Sequence, residues 1–291
     1  MTNKHPFFSI IIPVYKQWAR VPELLKALKA QTLAASDFEI LLINNASPDF
    51  PENLQLPTNA QVSHCQKAGS YAARNQGIQL ARGEWLVFTD ADCLPKLDWL
   101  ANLRQAIQTA PNQQQIFAGA IQMQASDQPN WLETYDLLRG IPQENYVKKG
   151  YAATANLTFS KAASEQQLFN DQRFSGGDAE LCRQLVAQGY QLSYLPQACV
   201  HHPARKTWQE VVTKVRRIKG GQLTAGTRQQ RVKWAIKTLI PPVKAYWRYL
   251  SNQHFTWQQR LRAICIESLL WIFAIQEMLN LLIFKKTPER S

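Results

Sequence analysis

Glu84-Trp-Leu-Val-Phe-Thr-Asp-Ala-Asp-Cys93 is the stretch on which the fold turns. Its first half, through Thr89, is an apolar run of strand length without alternation, the pattern of a strand buried on both faces. It runs directly into two carboxylates, Asp90 and Asp92. In open parallel sheets, ligands gather at the carboxyl ends of strands. Carboxylates two residues apart at that place have the oxygens to hold a hard divalent cation, and such a cation would bridge a diphosphate. A solvated acidic turn is the plain alternative.

Outward from this stretch, strand and helix signals alternate. On the N-terminal side, Phe7 to Val14 is a short β-branched run, Pro22 to Leu33 carries Leu24, Leu25 and Leu28 on one helical face, and Glu39 to Ile43 is a second buried strand. Val62 and its neighbours make a short third strand, and Tyr71 to Ala81 is a helix closed by Gly83. Leu97 to Thr109 follows as another helix. This order predicts an α/β fold with a Rossmann-like, mostly parallel, doubly wound sheet flanked by helices. Beyond residue 111 the pattern loosens. Ile116 to Met123, Ala152 to Phe159, Leu192 to Leu195 and Ala198 to His201 are expected as strands. Asp178 to Gln188 is expected as a helix, with Gly189 at its end.

Three further groups of residues have chemical content. Ser175-Gly-Gly-Asp-Ala-Glu180 puts Asp178 at a helix start after two glycines, where a carboxylate can act as general base on a hydroxyl; Ser175 as N-cap with Asp178 three residues on is an equally good capping reading. His201-His202-Pro203 offers a metal or diphosphate contact, or two merely structural histidines. Arg74 and Asn75, opening a helix after Gly69-Ser70, face phosphate or solvent. There is no Walker loop, G-x-G-x-x-G or Ser/His/Asp order, and no recognisable nucleic-acid motif, so a specific nucleic-acid partner is not expected.

The charge is segregated. Residues 1–199 carry 16 Lys and Arg against 17 Asp and Glu, whereas residues 200–291 carry 17 against 4, a local excess of +13 in a chain of net +12. Such a block calls for an anionic partner or a strongly solvated face. The five scattered cysteines form no C-x-x-C pair, which argues against a disulfide framework or a zinc site and for a reducing compartment. Met1 to Pro6 has no apolar stretch of signal type and Phe7 to Val14 is broken by Pro13, so export through a cleaved signal is not expected.

Taken in order, residues 7 to 205 resemble the family 2 glycosyltransferases of GT-A fold. The resemblance rests on Ser9-Ile-Ile-Ile-Pro-Val-Tyr15, Ile43-Asn-Asn-Ala-Ser47, Ala72-Ala-Arg-Asn-Gln-Gly-Ile78, Arg82-Gly-Glu-Trp85, Asp90-Ala-Asp92 and Gly177-Asp178-Ala-Glu180. It implies a nucleotide-sugar site formed by Pro13, Val14, Tyr15, Asn45, Arg74, Asp90 and Ala91. It implies Asp92 as direct ligand of Mn2+ or Mg2+, with Asp90 and His202 beside it and His201 as the rival histidine. Asp178 is then the catalytic base. Two departures stand out: Asn44 and Asn45 occupy positions where the family often has Asp, and Gly177 stands where Glu commonly precedes the base. The processive signature Gln-x-x-Arg-Trp is missing, which implies transfer of one sugar per encounter.

The expected activity is inverting transfer from a nucleotide-diphosphate sugar to a saccharide or lipid-linked acceptor hydroxyl, in cell-surface polysaccharide or glycolipid assembly. The rivals are an inactive, membrane-associated interaction protein and a sugar nucleotidyltransferase; the latter would need a glycine-rich loop where Pro13-Val-Tyr-Lys-Gln-Trp18 stands. Residues 1–205 form the catalytic domain in this reading, and 206–291 a basic, Trp- and Tyr-rich helical extension. That extension is expected to dock on the anionic cytoplasmic face of the cell membrane. Val243, Tyr246, Trp247 and Leu250 suit an interfacial helix. Leu261 to Phe284, ending at Lys285-Lys286, is long enough to span, but Arg262, Glu267, Gln276, Glu277 and Asn280 argue against it. Homo-oligomerisation through these helices is the alternative use of the same surface.

Overall fold

The computed structural model describes residues 5–173, 175–284 and 286–287; Met1 to Lys4 and Lys285, for which the sequence also raised expectations, lie outside them. The chain divides into two compact units. One comprises Met1–Gln122, Pro142–Gln172 and Gly177–His202, the other Met123–Ile141, Arg173–Gly176 and Pro203–Ser291.

The first unit is built on an eight-stranded sheet. In chain order the elements are β1 (Phe8–Val14), α1 (Val21–Lys29), β2 (Phe38–Asn44), β3 (Ala60–His64), α2 (Ser70–Leu80), β4 (Trp85–Thr89), β5 (Leu94–Pro95) and α3 (Trp99–Thr109). They continue through β6 (Gln115–Gln124), α4 (Trp131–Arg139, a helix of the second unit), α5 (Gln143–Val147), β7 (Asn156–Ser160), α6 (Lys161–Gln166), α7 (Gly177–Ala187) and β8 (Gln191–Pro203). The strand order is β3-β2-β1-β4-β7-β6-β8-β5. β3, β2, β1 and β4 are parallel, as their uninterrupted apolar runs imply. β7 pairs antiparallel with both β4 and β6, and β5 antiparallel with β8, so the sheet as a whole is mixed.

Every residue of β1, β2 and β4 is buried. A buried carboxylate then needs partners, and Glu39 on β2 has them. It accepts from Ser9 Oγ at 2.6 Å, from the Arg82 backbone N–H at 2.6 Å and from Arg82 Nε at 2.8 Å. The Gly83 N–H donates to Ser9 Oγ, and a Cβ on Gly83 would come within 2.6 Å of the β1 backbone. The Arg82-Gly83 turn is thereby locked to β1 and β2. That lock fixes where β4 begins and hence where Asp90 and Asp92 emerge at its end. Asn156 does the same for the other half of the sheet. It donates to Ala120 O and Ala198 O and accepts from Trp99 Nε1, knitting β6, β8 and α3 together.

Three expectations are corrected. The helix read as Pro22 to Leu33 ends at Lys29, because Gln31 and Thr32 are drawn to the backbone of Lys96 and Leu97. The two short strands Leu192 to Leu195 and Ala198 to His201 are one thirteen-residue strand, β8. Pro196 interrupts the sequence signal but not the strand, since β5 is two residues long and pairs only at Val200 and His201. With α7 beginning at Gly177, Ser175 stands too early to be its N-cap, and Asp178 is its second helical residue.

The second unit is helical: α4, α8 (Trp208–Thr224), α9 (Arg228–Leu239), α10 (Val243–Leu250) and α11 (Trp257–Leu282). Capping boxes start four of them, pairing Asn130 with Glu133, Thr207 with Glu210, Thr227 with Gln230 and Thr256 with Gln259. Tyr135, Leu138, Val211, Val215, Tyr249, Ile266 and Leu270 form the core between α4, α8, α10 and α11. Glu267, inside the apolar α11, accepts 2.7 Å hydrogen bonds from the hydroxyls of Tyr135 and Tyr249. The opposite side of α11 exposes Leu261, Leu269, Ile272 and Leu279, spaced at helical intervals.

Candidate active site

The first unit brings Asp90, Asp92, Cys93 and His202 together, with one ligand atom from each lying within 4.8 Å of all the others. Asp90 and Asp92 arrive on the segment after β4, and His202 arrives on β8. Adjacent residues of a strand point to opposite faces. His202 is thus the histidine of this group, with Nε2 3.9 Å from Asp92 Oδ1, while His201 belongs to the other face. Burial and the nearby Lys96 lower the pKa of His201.

The donor set is two carboxylates and one imidazole. Burial, reinforced by the charges of Asp92 and Asp90, pushes the Cys93 thiol well up. Two carboxylates and an imidazole suit Mn2+ or Mg2+ better than a soft metal. Gln17, which the sequence did not single out, donates to Asp92 Oδ2 at 3.1 Å and orients that carboxylate. Its signal was its place: it lies in the loop after the carboxyl end of β1.

Arg74 and Asn75 part company. Asn75 is tied to the Phe169 backbone through both ends of its amide. Arg74 is buried on α2, and its Nη2 donates to Asp90 Oδ1 at 2.6 Å. Its Nε is enclosed and has no hydrogen-bond partner among the described residues.

Asp178 belongs to the same site. Tyr71 Oη donates to its Oδ1 at 3.2 Å, as does the Ala179 N–H at 2.9 Å. Burial raises its pKa above the ordinary carboxylate value; the Ala179 N–H, Arg74 and Tyr71 pull it down and Asp90 adds to the rise. A carboxylate poised upward, next to a site for departing negative charge, can take a proton from a hydroxyl. Gly177 explains one departure from the family pattern. A Cβ there would lie 2.7 Å from the Tyr71 ring, so the ring that orients Asp178 requires glycine beside it.

The remaining expected contacts differ in exposure. Pro13, Val14 and Ala91 are buried, so they can offer a nucleotide only backbone and a surface, whereas Tyr15 is half-exposed. Asn45 is 2% exposed. Its amide donates to Cys65 O and Lys67 O and accepts from the Gly69 N–H. It therefore shapes the loop between β3 and α2, and a base contact would cost it those bonds. Lys16 and Ala46, in the loops after β1 and β2, adopt φ of 55° and 51°. Non-glycine residues in that region concentrate at functional sites.

The chain is similar to known glycosyltransferases in sequence and in fold. Glycosyltransferase AglE of Haloferax volcanii is 29% identical over 231 residues, 77% of this chain and 75% of that protein. The minor teichoic acid biosynthesis protein GgaB of Bacillus subtilis is 23% identical over 207 residues, 68% of this chain but only 23% of the relative's length. Among solved structures, the mannosyltransferase PcManGT of Pyrobaculum calidifontis, in complex with GDP-Man and Mn2+, aligns over 97% of this chain and 88% of its own. Its TM-score is 0.61 at 16% identity, a likeness of fold. The sequence model of Glycosyl transferase family 2 matches residues 9–168, more than half of the chain and the span from β1 to the end of α6. The chain therefore belongs to glycosyltransferase family 2.

Proposed function

We propose that the protein is an inverting, divalent-cation-assisted glycosyltransferase that moves a single sugar from a nucleotide-diphosphate sugar to an acceptor hydroxyl. The observation that carries this reading is the half-buried, upward-shifted carboxylate of Asp178 beside the Asp90, Asp92 and His202 group. Asp178 takes the proton of the acceptor hydroxyl. The oxygen attacks the anomeric carbon as the bond to the diphosphate oxygen breaks, and the electron pair leaves with the diphosphate. Tyr71 and the Ala179 N–H hold the Asp178 carboxylate in place, and Arg74, paired with Asp90, sets a positive charge beside the donor's negative charge. Asp92, Asp90 and His202 would hold Mn2+ or Mg2+, which when bound supplies electrostatic stabilisation to the leaving diphosphate. That PcManGT was solved with GDP-Man and Mn2+ supports this class of donor and cation.

The acceptor in this reading is lipid-linked, and the protein meets it on the cytoplasmic face of an anionic membrane. The support is physical. The +13 excess lies in residues 200–291. On α9 and α10, and on the Pro241-Pro242 connection's flanks, Val232, Ile236, Leu239, Ile240, Val243 and Trp247 are exposed, interleaved with Lys233, Lys237 and Lys244.

The test is incubation of the full chain with GDP- and UDP-sugars and Mn2+, with and without chelator, following nucleotide release and the anomeric configuration of the product by NMR. Inversion with loss of turnover on chelation is the expected result. Retention of configuration would overturn the single-displacement reading, and full turnover in chelator would overturn the cation's role.

A further inference from the structure

The carboxyl ends of β1, β2 and β3 form one row, in which strand pairing sets Val14 beside Asn44 and Asn44 beside His64. Ligands gather at this edge of a parallel sheet. Neighbouring strands are about 5 Å apart, so β2 and β3 lie about 5 and 10 Å from β1, on the side away from β4. A nucleoside diphosphate lying across β1, with its phosphates toward Asp90 and Asp92, brings its base over the ends of β2 and β3. Asn45 is not free to meet the base there, because its amide holds Cys65, Lys67 and Gly69.

Asn44 is occupied too, and in a way that defines its neighbour. Its Oδ1 accepts from Trp18 Nε1 and from the Ser47 N–H, both at 3.2 Å. An indole N–H and a backbone N–H can only donate, so the amide has one orientation. Its Nδ2 is therefore the end that meets His64 Nδ1, at 3.1 Å. Nδ1 accepts, and the single proton of the neutral imidazole sits on Nε2. That N–H has no partner among the described residues, and the His64 side chain is exposed.

The imidazole is held in place all the same. The Phe50 ring meets both Trp18 and His64 edge-to-face, with centroids 4.9 Å apart in each case. Gln76 Nε2 donates to the His64 carbonyl at 3.1 Å. The loops after β1 and β2 are fixed to each other: the Trp18 N–H donates to Asp49, the Lys16 N–H to Ser47 Oγ, and Ser47 Oγ to Asp49. Lys16 and Ala46, the residues of positive φ other than glycine among the described residues, belong to these same loops. Backbone strain of this kind accompanies ligand contact.

We propose that His64 reads the donor's nucleobase by donating its Nε2–H to a ring carbonyl, an assignment that rests on the nucleotide-sugar reading above. Guanine carries a carbonyl oxygen where adenine carries an amino group, and uracil carries one where cytosine has an amino group. A fixed donor meets the carbonyl and opposes the amino group. The site therefore takes a keto base, uracil or guanine, over the amino base of the same size.

Calorimetry of the full chain with Mn2+ tests this by comparing UDP with CDP and GDP with ADP, so that ring size cancels within each pair. The keto member of the pair that binds is expected to be tighter by about 10-fold, the scale of one hydrogen bond. His64→Phe keeps a ring beside Phe50 but has no donor. It should melt as wild type does and lose the preference, by weakening the keto nucleotide and not the amino one. Nitrogen-15 NMR of the free chain gives a readout that needs neither nucleotide nor variant: the neutral His64 ring should carry its proton on Nε2. A proton on Nδ1 instead would overturn the proposal. So would equal affinity within each pair, or a keto preference that survives in His64→Phe, and each of these leaves the nucleotide-sugar reading standing. Failure of the folded wild type to bind any of the four nucleotides would overturn both.

Discussion

At the scale of single residues, the proposed base sits in an environment of its own. Asp178 is held above the usual carboxylate value chiefly by burial. A base must be unprotonated to work, so kcat/KM should fall as the pH drops through that raised pKa, at a pH above the ordinary aspartate range. Asp178→Asn keeps the shape and can still accept from Tyr71 and the Ala179 N–H. It is expected to bind donor and to turn over at least ~100-fold more slowly, the usual scale for a lost general base. The sign of the stability effect also discriminates. A raised folded pKa means the ionised form is disfavoured by folding, a cost present above that pKa and relieved as pH falls through it. Asparagine lacks the charge, so the variant should melt at or above the wild-type Tm at pH 7. Normal turnover with a lowered Tm would instead mark Asp178 as a helix-start residue only. For Asp92→Ala, calorimetry with nucleotide diphosphate and Mn2+ is expected to show affinity lower by about 100-fold, the upper end of what perturbing a metal's surroundings costs. Binding as tight as wild type would remove Asp92 from the cation site.

Elements decide whether those residues meet, and here the sequence was unevenly legible. β1, β2 and β4 are buried on both faces, and a continuous apolar run is a strong local signal, so their limits and the emergence of Asp90 and Asp92 could be read directly. β8 could not, because Pro196 is a breaker everywhere except where a strand edge is left uncovered, and that depends on the two-residue length of β5. The capping boxes opening α8, α9 and α11 are local signals, Thr-x-x-Glu or Thr-x-x-Gln. Membership of α4 in the second unit had no local signal, since it rests on Tyr135 and Leu138 packing with Val211 and Ile266. Tyr71 was similarly silent: only the start of α7 beside α2 gives it a role. That pairing is testable. Gly177→Ala brings a methyl within 2.7 Å of a ring already stacked on Phe169. Overpacking of this kind costs about 1–3 kcal/mol. The variant should melt lower by thermal scan and lose kcat, as Tyr71 is displaced from Asp178. Wild-type kcat would show that the Tyr71 hydroxyl does not hold the base in its working position.

For the molecule as a whole, the division of charge is the feature that a catalytic sheet alone does not need. Residues 1–199 are nearly neutral and residues 200–291 hold the excess of +13. The same segment exposes large apolar side chains, among them Ile236 at 58% and Trp247 at 74%. Lysines alone would give weak, diffuse attraction, and apolar residues alone would invite aggregation or self-association. Together they suit a surface whose headgroups are anionic and whose interior is apolar, with each Lys or Arg near an anionic leaflet worth about 1 kcal/mol. α11 is long and apolar enough to cross a membrane, yet one face of it is packed and carries Glu267 and Glu277 on or beside that packed side. Crossing as a lone helix would strip those carboxylates of their tyrosine and arginine partners, which is expensive in hydrocarbon. The expected behaviour is therefore peripheral. Full chain should float with anionic liposomes at low salt, float less at high salt and come off in carbonate. Ile236→Glu and Trp247→Glu, each on an exposed position where folding is indifferent to the change, should reduce flotation without lowering Tm. Binding that resists both salt and carbonate would favour a spanning α11. A folded chain that ignores anionic vesicles but sediments as a dimer, with the dimer abolished by the same two variants, would assign the surface to self-association instead.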